Sequence, residues 1–198
     1  MRHRLHPSPP RRRLILQLLQ LPSLAGLLLV PTGAWSGFNF FTSEYTASRA
    51  ELQAQLDKRF PLAQKYGAYA NVALSEPQLH LDAATNRAAI TARLLITSPF
   101  LKSESGAEGS VTVSSALRYD AARRALLLDQ PRAEQLSLQG LSGRNAEQAE
   151  KIAKLVAQEL LRDQALRSFT EAELTVGRKT YDIGDITVLA DGIKVQLK

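Results

Sequence analysis

Apolar and polar residues alternate along much of the middle of this chain, and that period of two restricts its fold more than any other feature. The alternation is present at Val72 and Leu74, then at Leu79 and Leu81, and it returns through residues 90–97 after a turn-forming segment at residues 84–86. A period of two places apolar side chains on one face of a strand and polar side chains on the other. The two runs therefore predict an antiparallel hairpin with a single buried face. Two more strands are predicted at residues 111–119 and 125–138.

The segments before and after these strands carry signals for a short helix and for a second hairpin. Ser48 is a typical helix N-cap residue and Glu51 stands at the capping-box position. The first helix is therefore predicted over Ser48–Arg59, and Pro61 prevents it from continuing. Near the C-terminus, Asp191-Gly192 separates two β-rich runs, which predicts a closing hairpin.

A longer helix is predicted between the strands and the closing hairpin. Asn145 begins it, with Gln148 at the capping-box position, and the helix runs from Ala146 to about Arg167. Its apolar stripe consists of Ala149, Ile152, Ala153, Val156 and Leu160, widened by Leu155. An antiparallel sheet with both helices packed against one face buries all of these apolar faces, so the fold class is α+β.

The N-terminus has the three parts of a secretory signal peptide. Five arginines lie within residues 1–13, an apolar run follows at residues 14–30, and small or turn-forming residues occupy 31–37. We expect cleavage after Ser36, with Ala34 as the near alternative, which leaves residues 37–198 as one domain. An uncleaved N-terminal anchor is the other possibility. The arginines fit a general export signal better than a twin-arginine signal, and the sequence leaves that choice open.

Composition excludes several classes of site and partner. The chain has no cysteine, so it can form no disulfide, thiolate nucleophile, zinc ribbon or iron–sulfur cluster. Its formal net charge is +6, but residues 1–36 carry five of the arginines and no acid. The remaining domain is close to neutral, which argues against a nucleic-acid partner because that function needs a basic surface.

Signals for catalysis or metal binding are scarce, and we predict no catalytic residue, no metal site and no cofactor. His80 is the one imidazole after residue 36, and it is expected to face solvent between Leu79 and Leu81. A metal would need more ligands than His80 and the nearby Asp82. The serines do not fit a nucleophile elbow, and the glycines do not fit a phosphate-binding loop. A hydrolase with an unfamiliar motif would require a cleft that brings His80 together with two carboxylates.

Two segments could touch a membrane, although each has a simpler interpretation. Arg123-Arg124 lies in a predicted hairpin turn, where basic residues usually serve solubility and where they could also meet an acidic headgroup. Phe38, Phe40 and Phe41 form an apolar cluster that is expected to pack onto the core and could instead form a membrane-touching tip.

The order of these elements resembles the YceB-like family of Gram-negative envelope proteins, lipoproteins of largely undefined function. The resemblance covers about residues 45–197. It rests on the helix opened by YTASRAEL at Tyr45–Leu52 and closed by Phe60-Pro61, on the strand pair Ala70–Thr97, on the helix Ala146–Leu161 and on the closing hairpin. The family implies a fold similar to half of a tubular lipid-binding (TULIP-type) domain. In that fold a strongly curved antiparallel sheet wraps around a long helix and leaves an apolar groove, and here a shorter N-terminal helix precedes it.

If the groove of that fold is present, inward residues of the long helix and of the strands would line it. Those positions are Leu94, Ile96, Val113, Ile152, Val156 and Leu160. The same residues could instead fill a dry core, and the sequence does not separate the two possibilities. Acylated members of the family need a cysteine after the signal peptide, which this chain lacks. We therefore expect a soluble periplasmic protein, or one held at the inner membrane by its uncleaved N-terminus.

These observations lead to a functional prediction with one main alternative. The chain is expected to be a non-catalytic periplasmic protein that binds a lipid or another apolar molecule, with peripheral membrane contact as a further possibility. The alternative is an envelope adaptor or assembly factor that binds an unknown protein and no small molecule. An exposed sheet edge would favour the adaptor.

Overall fold

A computed structural model describes residues 37–39, 43–99, 106–139 and 144–198, and most of the regular structure in them is β. In chain order, the strands and helices are β1 (Gly37–Asn39), β2 (Glu44–Ser48), α1 (Arg49–Asp57), β3 (Leu62–Tyr66), β4 (Ala70–Asp82), β5 (Arg87–Thr97), β6 (Ala107–Asp120), β7 (Ala125–Leu138), α2 (Arg144–Leu161), β8 (Ala165–Ser168), α3 (Glu171–Leu174), β9 (Thr175–Val176), β10 (Lys179–Thr180), β11 (Ile183–Val188) and β12 (Gly192–Leu197). The predicted signal peptide and the side chains of Phe38, Phe40 and Phe41 lie outside the described residues.

The larger sheet contains six antiparallel strands in the order β3-β4-β5-β6-β7-β8. The predicted hairpin is confirmed, because β4 pairs with β5 from Asn71 opposite Thr97 to Asp82 opposite Arg87. Along β5, Ile90, Ala92 and Leu94 are buried while the residues between them are more exposed, as the period of two predicts. Strands β6 and β7 likewise occupy the two further predicted strand positions.

The six-stranded sheet is strongly curled into an antiparallel half-barrel, and two bulges explain part of the curl. The register of β4 shifts between Ser75 and Gln78, where Glu76 has a φ of 52° and precedes Pro77. In β7, Gln130 has a φ of 45° and precedes Pro131 beside another register shift. A proline has no N–H for the ladder, so each bulge accommodates one and bends its strand.

Helix α1 is confirmed within the predicted segment, although it ends at Asp57 and not at Arg59, and it also supports one of the bulges. The Ser48 side chain accepts a hydrogen bond from the backbone N–H of Glu51 at 3.3 Å, which confirms the predicted cap. Gln53 lies on α1 and its amide reaches the bulge of β4. It donates to the carbonyl of Pro77 at 2.7 Å and accepts from the N–H of Leu79 at 2.8 Å. These bonds satisfy backbone groups that the bulge removes from the ladder.

Helix α2 differs from the sequence prediction at both ends. It begins at Arg144 and ends at Leu161, whereas the apolar pattern predicted a helix up to about Arg167. Asp163 has a φ of 59°, and its N–H donates to the carbonyl of Leu128 at 3.0 Å. The chain then enters β8 beside β7. The side chains of the predicted cap residues Asn145 and Gln148 lie outside the described residues.

The expected sheet wrapped around one long helix is therefore not what the described residues show. Helix α2 has 18 residues and packs chiefly against β7. The reason lies in residues 163–168, whose backbone groups pair with β7 instead of extending the helix. No helix in the described part of the chain has both the length and the apolar character needed to cross a membrane.

A second sheet of four strands has the order β1-β2-β12-β11 and contains the predicted closing hairpin. Strand β12 lies between β2 and β11 and pairs antiparallel with both. Gly192 is required where β12 begins, because an added Cβ would lie 2.5 Å from the carbonyl oxygen of Ala47. The Asn86 side chain, at the β4–β5 turn, bonds to the carbonyl of Ile186 and to the N–H of Val188, which joins the turn to β11.

The inner faces of both sheets, with α1 and α2, enclose one main apolar core. Leu52 and Leu56 of the predicted α1 stripe are buried in it, and Phe60 is partly buried against it. Helix α2 contributes Ala153, Val156, Ala157, Leu160 and Leu161. A core shared in this way ties elements that are far apart in sequence into one packed unit.

Candidate ligand-binding site

Most of the six residues predicted to line a groove lie in the main core. Leu94, Val113, Val156 and Leu160 are buried members of the same cluster, and Ile96 is partly buried against it. The structure therefore places these five residues in or against one core, which α2 and the six-stranded sheet share with the other elements. That they line a groove for a ligand stays a prediction.

Ile152 does not share that position, because its side chain is 61% exposed. The prediction that it lies on the inward stripe is wrong. On a helix of 3.6 residues per turn, Ala153 and Ala157 lie on the side that meets the sheet. Ile152 is turned by about 100° from Ala153, which takes it off the packed face. Leu155 is turned away in the same sense and is 66% exposed.

An apolar depression of about 290 Å³ lies where this exposed side of α2 meets β3. Tyr66 supplies one wall from the end of β3, and Leu155 supplies another from α2. Val156, which belongs to the main core, also contributes to the lining. The complete lining is Tyr66, Leu155, Val156, Gln158, Glu159 and Arg162.

Local chain geometry holds Tyr66 beside the helix. Strand β3 pairs antiparallel with β4, from Leu62 opposite Leu74 to Tyr66 opposite Ala70. The tight turn between the strands uses Gly67, which has a φ of 59°, a conformation that glycine adopts without strain. Pairing with β4 thus fixes Tyr66 at the last position of β3, where it faces α2.

The rim of the depression carries charge of both signs. The carboxylate of Glu159 lies 3.6 Å from the guanidinium of Arg162. Burial, and then the negative charge of Glu159, raise the pKa of Tyr66 above its ordinary value. Tyr66 is therefore a neutral phenol at physiological pH and presents an apolar ring with a polar tip.

Two other depressions on the molecule are more polar. One of about 300 Å³ is lined by Arg93, Glu108, Gly109, Ser110, Ser137 and Gln139. Another of about 440 Å³ is lined by Ser110, Thr112, Glu134, Gln135, Leu136, Ser137 and Lys154. Their side chains would favour water over an acyl chain, so the depression beside Tyr66 is the better candidate for an apolar ligand.

A buried ionic cluster lies elsewhere in the molecule, centred on Arg167 of β8, whose side chain is 8% exposed. Its guanidinium lies 2.8 Å from the Glu51 carboxylate and also contacts Glu173. It donates to the hydroxyl of Tyr45 at 3.0 Å and lies over the ring of Phe169 at 5.1 Å from the centroid. One side chain therefore joins α1, β2, β8 and the α3 region.

The charges in this cluster stabilise one another. Burial alone would lower the pKa of Arg167, but the Tyr45 hydroxyl and the carboxylates of Glu51 and Glu173 outweigh it, so the pKa is raised. Burial of Glu173 favours its neutral form, yet hydrogen bonds from Thr170 and the charge of Arg167 lower its pKa overall. Arg167 and Glu173 thus remain ionised, as expected for a structural cluster.

The other residues singled out from the sequence have local partners or face solvent. His80 is exposed on β4, as predicted. Asp82 accepts hydrogen bonds from Ala84 and Thr85 in the β4–β5 turn. Arg123 donates to the Asp163 carbonyl at 3.0 Å. Within the described ranges, no three or more His, Cys, Asp or Glu side chains are grouped so that they could hold a metal ion.

Sequence reasoning missed Tyr66 and Arg167 as members of structural sites. A glycine turn between two tyrosines, in Tyr66-Gly67-Ala68-Tyr69, was an available signal for a hairpin with an aromatic tip. Arg167 gave no such signal, since it follows a helical pattern and its partners lie far away in the sequence.

These features define a class of protein: a mainly β domain with a curled antiparallel half-barrel, packed helices and an apolar depression beside α2. Residues 47–169, more than half of the chain, match the family described as "Protein of unknown function (DUF1439)", and the chain belongs to that family. The match is consistent with the expected YceB-like group of uncharacterised proteins. No curated protein matches the chain.

Proposed function

We propose that this chain is an exported, non-catalytic protein that binds a lipid or another apolar molecule where α2 meets the curled sheet. The apolar depression between Tyr66 and Leu155 is the observation that carries the proposal. It reaches Val156, which belongs to the main core, so a ligand entering here would meet core side chains. The sheet curvature favours a relationship to half of a TULIP-type domain.

Binding would be driven by removing apolar surface from water. An acyl chain seated against Leu155 and Tyr66 would gain about 0.8 kcal/mol for each CH₂ group that it buries. The headgroup would stay at the rim, where Arg162 and the Tyr66 hydroxyl can donate hydrogen bonds. An acyl chain longer than the depression would have to enter between α2 and β7. On the packed face of α2, Ala153 and Ala157 are small, so an entering acyl chain would have little side chain to displace there.

The export signal in residues 1–36 favours the periplasm as the site of action. We propose release from the membrane after cleavage at Ser36, with retention by an uncleaved N-terminus as the alternative. Acyl chains are poorly soluble in the aqueous phase of that compartment, so a protein that shields one from water has a clear use there.

Uptake of a fluorescent fatty acid, 11-(dansylamino)undecanoic acid, tests the proposal. We expect the protein to enhance the fluorescence of this probe and a phospholipid to displace it. Leu155→Glu places a carboxylate in the apolar depression and should weaken uptake at least tenfold. Gln139→Glu places the same charge at the polar depression of similar volume and should leave uptake unchanged. Equal loss in both variants, or no uptake by the wild type, would contradict the proposal.

One observation favours the adaptor alternative. Within the described residues β3 pairs with β4 alone and forms an edge of the six-stranded sheet, where an extended peptide could add as another strand. A photo-crosslinking residue at Gln64 on this edge tests it, with Arg93 as the control, since Arg93 is exposed on β5 between β4 and β6. A discrete protein adduct formed from Gln64 and not from Arg93 would support the adaptor. An adduct of lipid size would support ligand binding.

A further inference from the structure

Large exposed hydrophobic side chains on the described part of the molecule are concentrated beside β3 and α2. They are Tyr69, Ile152 and Leu155, which are 68%, 61% and 66% exposed. Soluble proteins tolerate isolated residues of this kind, but a cluster of them usually marks an interaction surface. If these three side chains lie next to one another, they can form a single interaction surface.

Tyr66 links the three residues into one surface. It lines the apolar depression together with Leu155 of α2. The backbone N–H of Tyr69 donates to the carbonyl of Tyr66 at 3.1 Å, so Tyr69 lies in the same hairpin turn. Ile152 precedes Leu155 by three residues, which places the two on one side of the helix. We name Tyr66, Tyr69, Ile152 and Leu155 the hairpin–helix patch.

Two lysines and an arginine lie near this patch, together with one glutamate. Lys65 precedes Tyr66 and Lys151 precedes Ile152, and both are exposed. Arg162 lines the depression itself, where Glu159 lies 3.6 Å from it. From residue 58 to residue 75, a segment that includes all of β3 and the turn after it, the sequence contains no acidic residue. The hairpin side of the patch therefore carries no acidic residue, and Glu159 adds one negative charge on the helix side.

We propose that the hairpin–helix patch docks on the surface of an anionic bilayer. Ile152 and Leu155 would enter the boundary between headgroups and acyl chains, and the two tyrosines would lie at headgroup level. Lys65, Lys151 and Arg162 would meet the negative headgroups. This inference rests on the proposed function, because docking would place the apolar depression at the membrane that supplies its ligand.

The charges favour a bilayer over a second copy of the chain. A symmetric contact between two copies would place Lys65, Lys151 and Arg162 of both copies in one interface against one glutamate from each, and that excess of positive charge is unfavourable. A bilayer offers negative charge and an apolar layer together, which is the combination that the patch presents. With only two side chains inserted and two tyrosines at headgroup level, binding is weak and reversible, and it weakens as salt concentration rises.

A single tryptophan placed in the patch tests the docking directly. Trp35 is the only tryptophan of the chain, so a Trp35→Phe background is free of native tryptophan fluorescence. In that background, Leu155→Trp reports on the patch and His80→Trp reports on an exposed position of β4 as the matched control. Both proteins are purified from the envelope fraction and mixed with vesicles of phosphatidylglycerol and phosphatidylethanolamine that carry brominated acyl chains.

We expect a blue shift and strong quenching for the tryptophan at position 155 and little change for the one at position 80. Replacing Lys65 or Lys151 by glutamine should each lower vesicle partitioning about fivefold. Phosphatidylcholine vesicles or high salt should reduce the response of position 155. The proposal is overturned if position 155 is not quenched, or if positions 155 and 80 respond equally.

Fatty-acid uptake, measured separately in solution, distinguishes this inference from the proposed function. Uptake without selective quenching at position 155 would leave ligand binding intact and overturn docking on this patch. Selective quenching without uptake would support docking and contradict the lipid-binding function. A partner protein on the patch, the remaining alternative, would give neither response.

Discussion

At the scale of single residues, Arg167 shows how one side chain can hold distant segments together. Its partners Glu51 and Glu173 come from α1 and the α3 region, and Tyr45 comes from β2. Glu51 Oε2 and Arg167 Nε have no hydrogen-bond partner among the described residues, which limits how much the cluster stabilises the fold. We expect the cluster to favour this arrangement of the chain over others, because an arrangement that buried Arg167 without its carboxylates would be costly.

Arg167→Met should destabilise the protein strongly, because it leaves two carboxylates without their cation. We expect the free energy of unfolding to fall by about 3 kcal/mol, measured by urea denaturation. Arg93→Met is the control, since Arg93 also bridges two carboxylates but its side chain is 50% exposed. That change should cost less than about 1 kcal/mol. Similar losses of unfolding free energy in both variants would contradict the idea that burial makes the Arg167 cluster more important for stability than an exposed one.

Glu173 should make stability depend on pH in the acid range. Its pKa is lowered in the folded protein, so its contribution is complete above the pKa of an unfolded glutamate, about 4.3, and is lost as the pH falls through the lower folded value. Glu173→Gln should cost about 1 kcal/mol at neutral pH, a modest value because the side chain is 32% exposed. The difference from wild type should shrink below about pH 4. A constant difference from neutral to acid pH would contradict this assignment.

At the scale of elements, strands were easier to predict than helix ends. The period of two located β4, β5 and β6, whose buried and more exposed residues alternate over much of their length. Strand β7 follows a predicted turn, and its residues 125–128 are buried on both faces. Strands β3 and β8 have only five and four residues, too few to show a period. Residues 162–167 contain no glycine or proline, so nothing local marks the end of α2. Pairing with β7, a contact distant in sequence, decides that end.

Two substitutions on α2 test the helix orientation, since the sequence placed both residues on the same stripe. Leu160→Ala removes a core side chain and should lower the free energy of unfolding by about 2–4 kcal/mol in urea denaturation. Ile152→Ala changes an exposed position, and alanine favours helix, so its effect should stay within about 0.5 kcal/mol. A large loss from Ile152→Ala would mean that this residue packs inward after all.

At the scale of the whole molecule, the curled sheet and its helices determine where an apolar ligand could enter. The buried face of α2 could be predicted because Val156 and Leu160 repeat at helical spacing. The depression itself could not, because it needs Tyr66 of β3 and Leu155 of α2 to lie side by side although they are far apart in sequence. Only the tertiary fold brings the two residues together. The depression that they form lies within the hairpin–helix patch.

The most direct test of the central claim is native mass spectrometry of the exported protein, purified from cells without added lipid, followed by solvent extraction and lipid analysis. We predict a fraction with additional mass equal to a phospholipid or fatty acid, released on denaturation and reduced in Leu155→Glu. A spectrum that contains the protein mass alone, together with no uptake of lipid added afterwards, would contradict lipid binding and favour the adaptor.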